Sequence, residues 1–183
     1  MSQISADLTG NYTIDPSHSR IGFSARHAMV TKVRGNFNEF EGSGYLDGAD
    51  VTKSTMELTI KAASIDTRNA DRDNHIRSND FLSMNEYPTI TFKSTGVEAV
   101  GGDKFRVNGD LTVRGVTRPV TFDLEFTGTE IDPWGNRRIG VEGSTVINRK
   151  DFGVSWNAAL ESGGILVSEN VTLECEISAV KQA

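Results

Sequence analysis

Apolar residues recur at every second position through most of this chain. Val120, Phe122, Leu124 and Phe126 fall on even positions, with Thr121, Asp123 and Glu125 between them. A period of two puts alternate side chains on opposite faces of a strand. Each such segment therefore predicts a strand with one dry and one wet face. Eight can be traced. The first runs from Ile21 to Met29, the second from Val33 to Leu46, and the third from Met56 to about Ile65. The fourth begins after Pro88, the fifth spans Phe105 to Val113, and the sixth spans Val120 to Thr127. Arg138 to Asn148 carries Ile139, Val141 and Ile147 as the seventh, and Glu169 to Val180 carries Val171, Leu173 and Ile177 as the eighth.

Turn chemistry separates these segments. Asp47-Gly48 is a hairpin signal, Gly101-Gly102 turns the fourth strand back, and Asp132-Pro133-Trp134-Gly135 has the residue order of a type I turn. Pro119 is compatible with a strand because it opens one. Eight strands in order with mostly short connections predict an all-β fold, an extended eight-stranded antiparallel up-and-down barrel. Its interior would be lined by Ile21, Phe23 and Ala25 of the first strand, and by Met56, Leu58 and Ile60 of the third. Ile90 and Phe92 follow from the fourth, and Phe105, Val107, Leu111 and Val113 from the fifth. Phe122, Leu124 and Phe126 of the sixth and Val141 of the seventh complete the lining. Gly22, Gly35, Gly109 and Gly143 interrupt the strands; they mark either tight coiling with unfilled interior space or edge bulges.

Two segments break the alternation. Between Asp66 and Pro88 the chain is polar and mixed in charge, and Thr67 or Asn69 can cap a helix whose first turn takes Asp71 and Asp73. This predicts one short helix, about Ala70 to Asn79, tethered across one barrel end by Ile76 and Phe81. The stretch Asp151 to Gly164, with Phe152, Trp156 and Gly163-Gly164, is long for a hairpin loop, and long loops often carry function.

At 183 residues the chain is expected to form a single domain over 11–183 behind a flexible arm at 1–10. Net charge is −6 with acids and bases interspersed, which predicts no nucleic-acid binding and disfavours strong adhesion to anionic membranes. No run approaches the ~20 apolar residues of a membrane span. Met1 to Gly10 lacks the basic start and apolar run of a secretory signal, so a cytoplasmic location is expected. Cys175 is in phase with Val171, Leu173 and Ile177 and reads as a small apolar residue.

Little in the chain has the spacing of catalysis. His18, His27 and His75 are too scattered for a structural zinc site, and no metal or cofactor is expected. Asp71 and His75 are four apart on the helix, as are Asp73 and Arg77, forming either an acid–base pair or a salt-bridged surface. His27 continues the inward register of Phe23 and Ala25 and could meet a ligand's polar head or bond a neighbour. Glu39 and Glu41 share the register of Phe37, which predicts a partly polar barrel mouth.

The motifs resemble one family. Tyr12-Thr13-Ile14-Asp15 with His18-Ser19 and Ile21-x-Phe23 is similar to the opening of the YceI-like polyisoprenoid-binding family, as is Val33-x-Gly35-x-Phe37-x-x-Phe40-x-Gly42. The most specific stretch is Ser64-Ile65-Asp66-Thr67 followed by Arg72-Asp73-x-His75-Ile76-Arg77-Ser78-x-Asp80-Phe81. Gly109-x-Leu111-Thr112-Val113-x-Gly115-Val116-Thr117, Arg149-x-Asp151-Phe152-Gly153 and Gly163-Gly164 continue the match. Near the C-terminus the chain departs from the family's Val-Gly-Asp-Glu-Val pattern, with Val167-Ser168-Glu169-Asn170-Val171 in its place. The resemblance implies a lipocalin-like barrel whose apolar pore takes the tail of an isoprenoid lipid, a polyprenyl phosphate or a quinone. It supplies no catalytic set. His27, Arg72, His75 and Arg77 are the candidates for meeting the head group, the arginines because a guanidinium suits bidentate phosphate binding. The alternative is an enzyme acting on such a lipid through a His/Asp pair. A homodimer is compatible with a tall barrel.

Overall fold

The alternating segments become eleven strands and one α-helix in a computed structural model describing residues 4–158, 160 and 166–183. The strands are β1 (Gly10–Ile14), β2 (Arg20–His27), β3 (Thr31–Phe37), β4 (Phe40–Leu46), β5 (Thr55–Lys61) and β6 (Ile65–Asp66). After the helix α1 (Ala70–Arg77) come β7 (Thr89–Gly101), β8 (Lys104–Val113), β9 (Val116–Ile131), β10 (Arg137–Asn148) and β11 (Asn170–Lys181). Six of these are halves of three interrupted staves. A 3-10 turn at Pro16–His18 divides β1 from β2, Asn38 and Glu39 divide β3 from β4, and a turn at Ala62–Ser64 divides β5 from β6. Since β1 pairs with β4 and β2 with β3, while β4 pairs with β5 and β3 with β6, each half continues its stave. The result is a closed barrel of eight antiparallel staves in chain order, sealed where β1 meets β11.

Burial follows the period of two. Along β9, Leu124 and Phe126 are buried while Thr121, Asp123 and Glu125 are exposed. Along β8, Val107 and Leu111 are buried and Asp110 is exposed. The interrupted second stave shifts this parity. Phe37 and Phe40 both pack against the core, so the inward positions change from odd to even across Asn38 and Glu39. Glu39 and Glu41 are consequently exposed on the outside, and the polar rim expected from them is not formed. Gly35 and Gly109 are also not openings, although Gly109 lies opposite the bulge that β7 makes between Ser94 and Gly96. The ring of Phe23 lies where a Cβ on Gly35 would sit, and the ring of Phe92 does the same over Gly109.

One barrel end is filled. Leu8, Tyr12, Phe126, Ile139 and Ala179 form a separate buried cluster there, and the Tyr12 hydroxyl donates to the Leu8 carbonyl at 2.7 Å. Of the segment read as a loose arm, Ala6–Leu8 forms a 3-10 turn and Leu8 is 3% exposed; Met1 to Gln3 lie outside the described residues. The same end carries the connection from β4 to β5, where Asp47-Gly48 begins an eight-residue link containing a 3-10 turn at Val51–Lys53 rather than a two-residue hairpin. Outside this end, Arg138 bridges Asp15 (2.8 Å) and Asp132 (2.9 Å). Hydrogen bonds from Ser17, Arg138 and His18 hold the Asp15 carboxyl well below the usual carboxylate range.

Candidate ligand-binding site

Inside the barrel lies a cavity of about 700 Å³, within the usual range for small-molecule pockets. All sixteen interior positions expected from the alternation line it. Aromatic rings brace the wall in pairs: Phe92 meets Phe122 edge-on at 5.4 Å, and Phe23 lies 5.9 Å from Phe37. Cys175 also faces the cavity, and burial pushes its thiol up to about 11, leaving it a neutral apolar group at ordinary pH. The other face of the wall carries exposed polar residues such as Asp123 and Glu125, the reverse of a barrel whose outer surface meets lipid.

At the opposite end from the Leu8 cluster the exposed residues Arg26, His27 and Asp71 join the lining, while Glu57, exposed on β5, joins it away from that end. Three elements surround this mouth: the β2–β3 hairpin, α1, and the chain following the 3-10 turn Arg149–Phe152. His27, at the end of β2, bridges to Val167 and is exposed at the rim. Gly163-Gly164, in the same irregular stretch, lie outside the described residues.

Polar bonds hold α1 in place. Asn69 caps it by accepting from the Arg72 amide, and Asp73, 7% exposed, accepts from the Thr67 amide at 2.8 Å and the Thr67 hydroxyl. The helix ends at Arg77, two residues before the expected Asn79, because the Ser78 hydroxyl turns back to the His75 carbonyl. Ile76, Phe81 and Leu82 then anchor the segment to the core.

This geometry sorts the expected head-group residues. Arg72 lines the mouth, although its Nε donates to the Thr67 hydroxyl and its Nη2 to the Thr67 carbonyl. His75 also lines it, edge-on to Phe81 (5.0 Å) and Trp156 (4.6 Å), with Nε2 2.8 Å from Asp80. The Asp71/His75 couple is therefore not assembled: His75 turns to Asp80, beyond the end of the helix. Arg77 is a correction. It does not line the cavity; its Nε and Nη2 donate to the carbonyls of Ala63 and Ile65, and its Nη1 to Asn74. The bonds tie α1 to β6, because the i+4 partner Asp73 is already taken by Thr67.

The residue that pattern reasoning passed over is Arg149, noted in the sequence solely within a family motif. It is 5% exposed and lines the cavity. Its Nη1 donates to Val154 (2.7 Å), its Nε to Ser168 (2.8 Å) and its Nη2 to Val167 (3.2 Å), all at backbone carbonyls. The guanidinium also lies 5.9 Å from the Phe81 ring centroid. It forms no ion pair with a carboxylate among the described residues, and burial lowers its pKa against the opposing pull of Glu169. One cation thus clasps both ends of the loop that borders the mouth. The described residues include no group of three or more His, Cys, Asp or Glu side chains that could hold a metal.

A sealed meander barrel with an apolar cavity and a charged mouth defines the lipocalin-like class of architecture. Within it, residues 12–179 match the YceI-like domain, and the chain belongs to that family. A UPF0312 protein of Azotobacter vinelandii is 41% identical over 177 residues, covering 96% of this chain and 89% of the relative. The crystal structure of the Campylobacter jejuni YceI protein superposes with a TM-score of 0.75 at 28% identity, covering 86% of this chain and 90% of that one. A polyisoprenoid-binding domain from Saccharophagus degradans shares the fold at a TM-score of 0.69 and 17% identity, covering 93% of this chain and 98% of that one. No helix among the described residues is long and apolar enough to cross a membrane.

Proposed function

We propose that this barrel binds an isoprenoid lipid, a polyprenyl phosphate or an isoprenoid quinone, with the tail in the cavity and the polar head at the α1 end, and that it acts as a carrier. The observation that carries this reading is the continuous apolar cavity of about 700 Å³, whose end beside α1 is rimmed by Arg26, His27, Asp71, Arg72 and His75. Family membership and the polyisoprenoid-binding neighbour support the same class of ligand. Each five-carbon isoprene unit buried would contribute roughly 3–4 kcal/mol before ordering costs, so a few units suffice for tight binding without a specific polar contact. His27, Arg72 and His75 at the mouth would then select the head group.

The test is reconstitution from detergent with a polyprenyl phosphate and, separately, a long-chain ubiquinone, read by native mass spectrometry. A stoichiometric adduct is expected. Ala25→Trp, which fills the cavity at a half-buried position near the mouth, is expected to abolish the adduct while circular dichroism stays unchanged. Absence of both adducts in the wild-type protein would overturn the proposal.

A further inference from the structure

From Pro16 to Asn38 the chain contains Arg20, Arg26, Lys32 and Arg34 and no Asp or Glu, although acids outnumber bases overall by 25 to 19. This stretch contains the β2–β3 hairpin at the cavity mouth. Arg26 and Lys32 are directly paired across the two strands, and Arg34 follows on the same face opposite Ser24. All three are exposed, and none pairs with a carboxylate among the described residues. Like charges placed opposite one another destabilise a strand pair. The hairpin therefore carries an electrostatic cost that an external anion would relieve.

The tip compounds this. Met29 is 65% and Val30 74% exposed. Ala28 and Met29 have φ of 50° and 62°, and the Val30 amide closes the turn on the His27 carbonyl at 3.0 Å. Two consecutive left-handed residues suit Asn-Gly, not Ala-Met. The turn is built from residues that fit it poorly, and what they provide is an apolar point projecting beyond a basic collar. The other barrel end offers a contrast. Its exposed Val100, Ile131 and Trp134 lie beside Glu98, Glu130 and Asp132.

We infer that the β2–β3 hairpin is a docking finger for an anionic lipid bilayer: Met29 and Val30 enter the interface, and Arg26, Lys32 and Arg34 meet the lipid phosphates. The same strands carry Phe23, Ala25, Val33 and Phe37 on the cavity wall, so docking places the mouth against the membrane. The acidic balance of the remaining chain keeps the attachment weak and reversible, as loading and release require. The role in loading rests on the lipid-carrier reading; the docking itself does not.

The experiment is co-sedimentation with vesicles of phosphatidylcholine alone or containing about a third phosphatidylglycerol. Binding is expected to the anionic vesicles and to be lost at high salt. Lys32→Gln with Arg34→Gln is expected to weaken it on the order of 30-fold, from roughly fivefold per cation. Met29→Asn with Val30→Asn is expected to abolish binding without loss of thermal stability, since Asn accepts the left-handed conformation at Met29 and Val30 is 74% exposed. Ile131→Asn, at the other end, is expected to change nothing. Wild-type protein that ignores anionic vesicles, or finger variants that bind like wild type, would overturn the inference. Detergent loading of the wild-type protein separates the two readings: no lipid adduct with intact docking removes the carrier reading alone.

Discussion

The two ends of this barrel are closed by different physics. At the Leu8 end, apolar side chains meet and fill the space between the staves. At the mouth, Arg149 bonds three carbonyls, Arg77 bonds two, and Asp73 bonds Thr67 twice. Apolar contact is non-directional and gains by collapsing any void. A hydrogen bond is satisfied at a fixed distance and angle, and it gains nothing from filling the space beyond it. A clasp of hydrogen bonds can thus hold loops around an opening without closing it. The difference explains how one barrel has a solid floor and a lasting mouth.

The comparison can be broken at several points. Phe126→Ala, at 2% exposure, is expected to cost about 4 kcal/mol in urea unfolding, because its ring packs within the Leu8 cluster as well as lining the cavity floor. Arg149→Met is expected to cost about 2 kcal/mol by orphaning the Val154 and Ser168 carbonyls, while the Val167 carbonyl keeps its bond from Asn157, and Arg149→Lys to recover little, since an ammonium lacks the planar fork. Phe122→Ala, whose ring is half-buried and lines the cavity outside the Leu8 cluster, is expected to cost less than about 2 kcal/mol. Equal losses at Phe122 and Phe126 would erase the distinction between the ends.

Two titrations sharpen the picture. Asp15 has a depressed pKa, so its contribution is present above the ordinary carboxylate range and disappears as pH falls through the lowered value. Asp15→Asn is expected to cost about 1 kcal/mol at neutral pH, a difference that vanishes in strong acid. Cys175 has a raised pKa. Its neutral thiol suits the fold up to the ordinary value of 9.0, and stability then falls as pH rises towards about 11. Cys175→Ala is expected to flatten that alkaline slope, with a small effect at neutral pH.

The staves were legible because their inward residues repeat at a period no other element shares, as Val120 to Phe126 illustrates. The parity change in the second stave was also visible in principle, since Phe37 and Phe40 are three apart and cannot share a face of one uninterrupted strand. The mouth was less legible. Asp71 and His75 have the spacing of a helical pair, but the helix stops at Arg77 and the following turn brings Asp80 to His75 instead. Arg149 could not be distinguished from other arginines. Its burial depends on Val154, Val167 and Ser168, residues gathered by the closing of a loop, and local pattern carries no trace of that.

The seam between β1 and β11 bears on how the protein comes into being. Every other stave pairs with its neighbour in the chain, so hairpins can add one to the next as synthesis proceeds. The pairing of Tyr12 with Lys181 and Ile14 with Ala179 must instead join nearly the whole chain into a ring, at an entropic cost of about 4 kcal/mol. Until that last step the first and last staves are bare edges, each able to pair with the complementary edge of another copy. Closure is thus the slow, concentration-sensitive event of folding, and the cavity does not exist until the final strand has left the ribosome.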